Sequence, residues 1–402
     1  VTVTPPDESI PAWVYPQLAL DSSHRRNGAD DSVAGAFASE QPSLGRARSV
    51  PIVMDLSEFH EGISLAQQIL DLRSGLGADL RNPKSSDSKR SVDFELEKGG
   101  DGTLPSVTEY EGEGGAPDEK TKSGLKALED IDEISIVAAP GATAGYADDT
   151  KRSLAIIQLV IAHAQRMRYR IAVIDSGDKQ TVGDVRDMRG KIDSSYAALY
   201  YPWITQLDPV TQQDINLPPS GAVCGIYARN DINRGVYKAP ANEVVDGAIG
   251  LELILNKAQQ DILNPQGVNC FRFFEGRGYR LWGARTVSSD PEWKYVNLRR
   301  YFAYLEHSID KGTQWAVFEP NGERLWANMR ITISDFLFNE WQNGALLGDR
   351  ADKAFFVKCD RSTMTQNDLD NGRLVCLVGV AALRPAEFVI IRIGQWTADR
   401  KV

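Results

Sequence analysis

The strongest constraint on the fold lies between Ile134 and Gly177. A short apolar run, ISIVAA (Ile134 to Ala139), is followed by a Pro-Gly turn. From Asp148 to Met167 apolar residues then recur at helical spacing, at Leu154, Ile157, Ile161 and Ala164. A second short run, YRIAVIDSG, closes the unit. Strand, helix and strand in that order are parallel and right-handed in nearly all known cases, because a right-twisted strand feeding a right-handed helix packs back only that way. A parallel sheet must be covered on both faces. The expectation is therefore an α/β fold, α+β mixed over the whole chain, with a layered core. YAALYYPWI at 196 to 204 reads as a third strand of the same sheet.

Downstream, NCFRFFEGRGYRLWGART alternates apolar and polar residues on both sides of Gly276 to Gly278, the pattern of an antiparallel hairpin. Tyr295, Leu298, Phe302, Leu305 and Ile309 step by three and four and predict a helix with one apolar face, with Arg299 and Arg300 off that face. Leu325, Met329, Ile333 and Phe336 predict a second helix. Three strand-like runs end the chain: AFFVKCD at 354 to 360, RLVCLVGVAAL at 373 to 383 and EFVIIRIGQW at 387 to 396. In the last, Val389, Ile391 and Ile393 lie on one face and Phe388, Ile390 and Trp396 on the other. Such a strand needs cover on both faces, and at a chain end its partner can be another subunit.

Upstream the reading is poorer. Residues 1 to 50 are Pro-rich and then small and polar; 51 to 80 suggest a short strand and a helix; 81 to 123 are polar, with glycines and acids that mark exposed loops. Val1 is not a start methionine, so the expectation is a processed, truncated or partial chain. With 402 residues there is room for two or three domains. The division read here is 1–123, 124–286 and 287–402.

A net charge of −10 argues against nucleic acid as a partner, since affinity for phosphates comes from clustered Lys and Arg. No apolar run reaches the roughly 18 residues that cross a bilayer, so membrane insertion is not expected. Cys224, Cys270, Cys359 and Cys376 are far apart in sequence and read as reduced core thiols. The four histidines are equally dispersed, and His163 falls on a helical stripe where a structural role is expected.

Chemistry finds no footing. The turn APGATAGYADDT sits where nucleotide folds place a phosphate loop, but it has neither G-x-G-x-x-G nor a Gly-Lys-Ser/Thr ending. Asp148 and Asp149 are adjacent at a helix start, where acids complement the helix dipole. DIDE at 130 to 133 lacks the spaced oxygens of a calcium loop, and no nucleophile elbow occurs. No catalytic residue, metal ligand or cofactor is expected. The stretch LPPSGAVCGIYARNDINRGVYKAPAN, 217 to 242, is read as a helix opened by Pro218 and Pro219, packed through small residues, and ending in a polar loop that touches another subunit.

Several stretches carry a family resemblance: LEKGGDGTLP, GLKALEDIDEISIVAAPG, YAALYYPWI, PPSGAVCGIYARNDINRGVYKAPAN, GVNCFRFFEGRGYRLWGART, WKYVNLRRYFAYLEHSI and FVIIRIGQW. In that order, over about residues 95 to 402, the chain resembles contractile tail sheath proteins of phages, tailocins and extracellular injection particles. The extended N-terminal arm with a PGVY-like segment that such proteins carry is not found before residue 50. The resemblance implies a non-enzymatic subunit that stacks as hexameric rings on an inner tube and contracts irreversibly. It further implies a central α/β sheath core domain, a C-terminal α+β domain completed by strands exchanged between subunits, and a variable N-terminal outer region. Partners would be further copies, the inner tube protein, and baseplate and terminator proteins. The particle would be a virion tail or an extracellular injection device, assembled in a bacterial cytoplasm. Interface residues read on this basis are Phe388, Val389, Ile390, Ile391, Ile393 and Trp396 in the donated strand. Arg234, Arg277, Arg299 and Arg300 are set against Asp148, Asp149 or the acids of 129 to 133. Two rival readings are an α/β nucleotide-binding enzyme and a low-copy baseplate or adaptor protein of the same fold.

Overall fold

The structure is a computed structural model and describes residues 1–4, 12–21, 23–37, 52, 67, 70, 71, 73–93, 95, 103–114, 122–209 and 212–387. The chain divides into two compact units. The first comprises Val1–Leu104 with Leu207–Asp214, and the second Pro105–Gln206 with Ile215–Val402. In the first, two small antiparallel hairpins pair Thr2–Val3 with Trp13–Val14 and Arg25–Arg26 with Ala29–Asp30. Buried Phe37, on the helix Val33–Phe37, meets Tyr15 edge-on with ring centroids 5.1 Å apart. The strand and helix expected over 51 to 80, on PIVMDLSEF and ISLAQQILDL, fall almost wholly outside the described residues; a short helix, Leu76–Arg81, follows them.

The elements of the second unit that position its surfaces are, in chain order, β1 (Ile136–Ala138), α1 (Thr150–Met167), β2 (Ile171–Asp175), α2 (Val182–Arg189), β3 (Ala197–Tyr201), α3 (Ser220–Arg234), β4 (Glu243–Val244), α4 (Lys257–Leu263), β5 (Val268–Phe274), β6 (Gly278–Trp282), α5 (Val296–Thr313), α6 (Glu323–Gln342), β7 (Phe355–Lys358) and β8 (Leu377–Val380). A six-stranded sheet runs in the order β4-β6-β5-β3-β2-β1. β1, β2, β3 and β5 are mutually parallel, while β6 returns antiparallel to β5 and β4 to β6. The expected parallel unit and its third strand are thus present. The hairpin of 268 to 282 joins the same sheet as its antiparallel margin.

Why the chain folds this way is written in β2 and β3, whose ten residues are all buried. Alternate side chains part between two cores. Ala172 and Ile174 pack with Ile156 and Val160 of α1 and with Val185 and Met188 of α2. Ile171 and Val173 pack with Val223, Ile226 and Tyr227 of α3. Burying each aliphatic side chain is worth about 1.5–3 kcal/mol, so helices on both faces are the only stable arrangement for strands apolar on both. A third core gathers Tyr301 and Leu305 of α5, Leu325, Trp326, Met329, Ile333 and Leu337 of α6, and Cys359 and Met364. On it lies a separate two-stranded antiparallel sheet, β7 with β8. Among the described residues no helix is long and apolar enough to cross a membrane.

Candidate subunit-interaction site

Parallel strands deliver helix starts to one edge of the sheet, where nucleotide folds hold phosphate. Here that edge is capped by the chain itself. After β1, Thr143 Oγ1 donates to the Ser176 carbonyl at 2.8 Å and the Tyr146 N–H donates to Asp178 Oδ1 at 3.1 Å. Asp149 caps α1, accepting the Arg152 N–H at 3.0 Å. Thr181 and Asp184 form a reciprocal capping box on α2. At α3 the cap comes from a distant strand: Asp175, at the end of β2, accepts the Ser220 N–H at 2.6 Å and its hydroxyl at 2.7 Å. Burial pushes the Asp175 carboxyl up to about 7, against the lowering effect of those two hydrogen bonds. Carboxylates therefore stand where an incoming anion would need donors.

The 217–242 stretch folds as α3, with Pro219 at its N-cap, as its Pro pair and small residues predict. Of its charges, Asp231, Arg229 and Lys238 are paired inside the chain. Asp231 faces Arg300 of α5 in a two-pronged ion pair, with Nη1 to Oδ1 at 2.9 Å and Nη2 bonded to Oδ2. The Arg300 guanidinium also lies 4.5 Å from the centroid of the Tyr227 ring. Tyr227 in turn shares a buried hydrogen bond with Tyr200 on β3. Neighbouring Arg299 lies 3.5 Å from the Trp293 ring centroid and 4.3 Å from that of Tyr196, whose hydroxyl accepts its Nη1–H at 3.1 Å. Both arginines were expected off the apolar face as interface charges; instead both are 6% exposed. The cause is that aromatic rings from separated segments close over planar guanidiniums, which are weakly hydrated and stack well.

The other charged candidates stay outside. Arg234 is exposed in the last turn of α3. Arg277, at the tip of the β5–β6 hairpin, donates to Asn242 Oδ1 at 2.6 Å. Asp148 and Asp149 are exposed beside the start of α1. Among the acids of 129 to 133, Glu129 pairs with Arg166, Asp130 with Lys122 at 2.7 Å, and Glu133 with Lys311 at 3.9 Å. Phe388, Val389, Ile390, Ile391, Ile393 and Trp396 lie outside the described residues.

What is described is the root of that last run. Glu387 is held by Arg285 Nε at 2.7 Å and Nη2 at 2.5 Å, by the Tyr295 hydroxyl at 3.0 Å and by Lys294 at 3.5 Å. Arg285 is 7% exposed at its side chain, and these charges hold the Glu387 carboxyl below its usual range despite burial. Nothing in the local sequence signals this lock, because its parts lie about a hundred residues apart.

Among the described residues the β7–β8 sheet has two strands. Two strands make a marginal sheet, and here one face rests on α6 while Phe356, Leu377 and Val378 stay 52%, 51% and 37% exposed. Open edges with apolar side chains are templates for an added strand.

Fold and surface together define an α/β building block whose α1, α2 and α3 starts are capped by its own side chains and whose last sheet has two strands among the described residues. Sequence comparison agrees on the class: residues 114–287 match the phage tail sheath protein central domain and residues 288–395 the phage tail sheath C-terminal domain. The chain belongs to the phage tail sheath family. It is 31% identical to a chain of the sheath complex of the extracellular contractile injection system PVC in its contracted state, with a TM-score of 0.60 over 69% of this chain and 76% of that one. It is 34% identical to a chain of the contracted helical sheath of the anti-feeding prophage, with a TM-score of 0.57 over 67% of this chain and 74% of that one. The tail sheath protein of Vibrio phage KVP40 is 23% identical over 212 residues, 52% of this chain. That match spans only 31% of the phage protein's length.

Proposed function

We propose that the chain is the subunit of a contractile sheath that polymerises as stacked hexameric rings around an inner tube and shortens to drive the tube through a target envelope. The observation that carries this reading is the β7–β8 sheet, two-stranded among the described residues, in a chain whose similar structures include sheaths in a contracted state. Residues 388–396, apolar on both faces, are the strand donated to a neighbouring subunit, with Glu387 fixing its root. Main-chain hydrogen bonds then tie subunits together while their bodies rotate between two packings. Arg234 and Arg277, set against Asp148, Asp149 or the acids of 129 to 133 of a neighbour, are the charges that change partners.

On this reading the region 1–123 is outer decoration, 124–286 the core domain and 287–402 the exchange domain. The inner tube, baseplate and terminator proteins are partners. Assembly occurs in a bacterial cytoplasm, and the role is structural, with no cofactor. The test is stoichiometry. Quantitative mass spectrometry of purified particles should find this chain equimolar with the tube protein and in many copies. A handful of copies per particle would replace the sheath reading by that of a baseplate or adaptor protein.

A further inference from the structure

The register that joins β7 to β8 sets Phe355 opposite Val380 and Lys358 opposite Leu377. Continued one step beyond the last ladder pair, that register sets Cys359 opposite Cys376, whose side chains interact. The Ala381 N–H donates to the Ala354 carbonyl at 2.8 Å, which marks 354/381 as a hydrogen-bonded site. Sites alternate along an antiparallel ladder, so 359/376 is a non-hydrogen-bonded site, where facing Cα atoms approach to about 4.5 Å and side chains come closest. That separation lies inside the roughly 4.4–6.8 Å range a disulfide spans. Just beyond the pair, Thr363 Oγ1 donates to the Val375 carbonyl at 2.8 Å and accepts the Asp360 N–H at 3.2 Å, holding the two segments together. Arg330 of α6 bonds the Cys359 carbonyl. Both thiols are free, Cys359 is buried, and Cys376 is partly exposed. Each perturbs the other's ionisation, and burial pushes Cys359 up to about 11.

We propose that Cys359 and Cys376 are a disulfide-forming pair that closes once the chain meets an oxidising medium. The chemistry follows from exposure. The Cys376 thiolate attacks a low-molecular-weight disulfide such as oxidised glutathione, forming a mixed disulfide and releasing one glutathione thiolate. Cys359 then loses its proton and attacks the Cys376 sulfur, releasing the second glutathione. Two protein thiols give up two protons and two electrons, and the reagent's S–S bond is reduced to two thiols. Because thiolates react and burial disfavours them, closure is slow near neutral pH and quickens as pH rises. The bond staples the free end of the β7–β8 sheet and closes the segment 360–375. That an extracellular particle meets such a medium rests on the sheath reading, whereas the pairing does not.

The test uses the full unassembled chain, incubated with oxidised glutathione or with dithiothreitol, then alkylated and digested for mass spectrometry. The expected result is one linked peptide pair joining Cys359 to Cys376, with Cys224 and Cys270 alkylated, and faster closure at pH 9 than at pH 7. Melting of the larger compact unit, which contains both cysteines, should rise by about 5 °C on oxidation, the shift expected for closing a loop of this length in a unit of that size. Cys359→Ser should instead stop at a glutathione adduct on Cys376, which shows the order of attack. Retention of all four thiols, or an adduct on Cys376 with no linked peptide in the unsubstituted chain, overturns the proposal. Failure to form tubes leaves it untouched.

Discussion

Replacing Asp231 by Ala isolates the ion pair that ties the 217–242 segment to α5. Two unit charges about 4 Å apart attract by about 4 kcal/mol at an effective dielectric of about 20. Arg300 is 4% exposed at its side chain and Asp231 23%, so water reaches the acid more than the base. Breaking buried pairs by removing one partner costs about 3–5 kcal/mol, because the other charge is left unsolvated. Partial access of water to Asp231 puts the expected loss at the lower end, about 3 kcal/mol. At about 1.4 kcal/mol per tenfold, local opening of α3 and α5 should become roughly 150-fold more frequent. Hydrogen–deuterium exchange of peptides from Val296–Thr313, measured by mass spectrometry on the full chain, reads that opening directly. Arg300→Met alone should also loosen α5, but Asp231→Ala combined with Arg300→Met should lose much less than the sum, since no charge is then stranded. Additive losses, or a change under about threefold for Asp231→Ala, would refute the claim that Arg300 is an internal residue and return it to the list of contact charges.

Other outcomes follow from the same geometry. Asp175 has a folded pKa raised above its unfolded value, so its contribution to stability is present at low pH and is lost as pH rises from about 4 to about 7. Melting curves across that window should show the decline, and Asp175→Asn, which keeps an acceptor for the Ser220 N–H, should flatten it. Glu387→Ala strands Arg285 beside Tyr295 and should cost about 3 kcal/mol, read by faster exchange around residues 283–296. Deleting residues 388–402 keeps the Glu387 lock and should leave a folded subunit, by circular dichroism and gel filtration, that no longer polymerises; normal tubes from this truncation would dispose of strand donation.

The β1–α1–β2 unit and β3 were legible because a switch between apolar periods of two and 3.6 survives any tertiary detail. The hairpin at 276–278 and both long helices were legible for the same reason. Arg299 and Arg300 were not. A helical stripe sorts residues by hydrophobicity, and these guanidiniums are buried by rings from Tyr196, Tyr227 and Trp293, which no local period connects. Asp175 carries no local sign of its capping role, since its partner Ser220 lies 45 residues on. The approach of Cys359 to Cys376 was hidden behind their spacing and emerged only from the register of β7 and β8. Of the interface candidates, the final run shows two apolar faces in the sequence and lies outside the described residues. The charges carry no such pattern, because composition does not tell an internal pair from an external one.

Electron microscopy of the purified chain under assembling conditions tests the central claim most directly. The sheath reading predicts hollow tubes built of stacked six-fold rings, wide enough to enclose an inner tube, with the residue 388–396 strand of one subunit continuing the β7–β8 sheet of the next. Chains that remain monomeric, or rings in which the β7–β8 edges stay open, would contradict it.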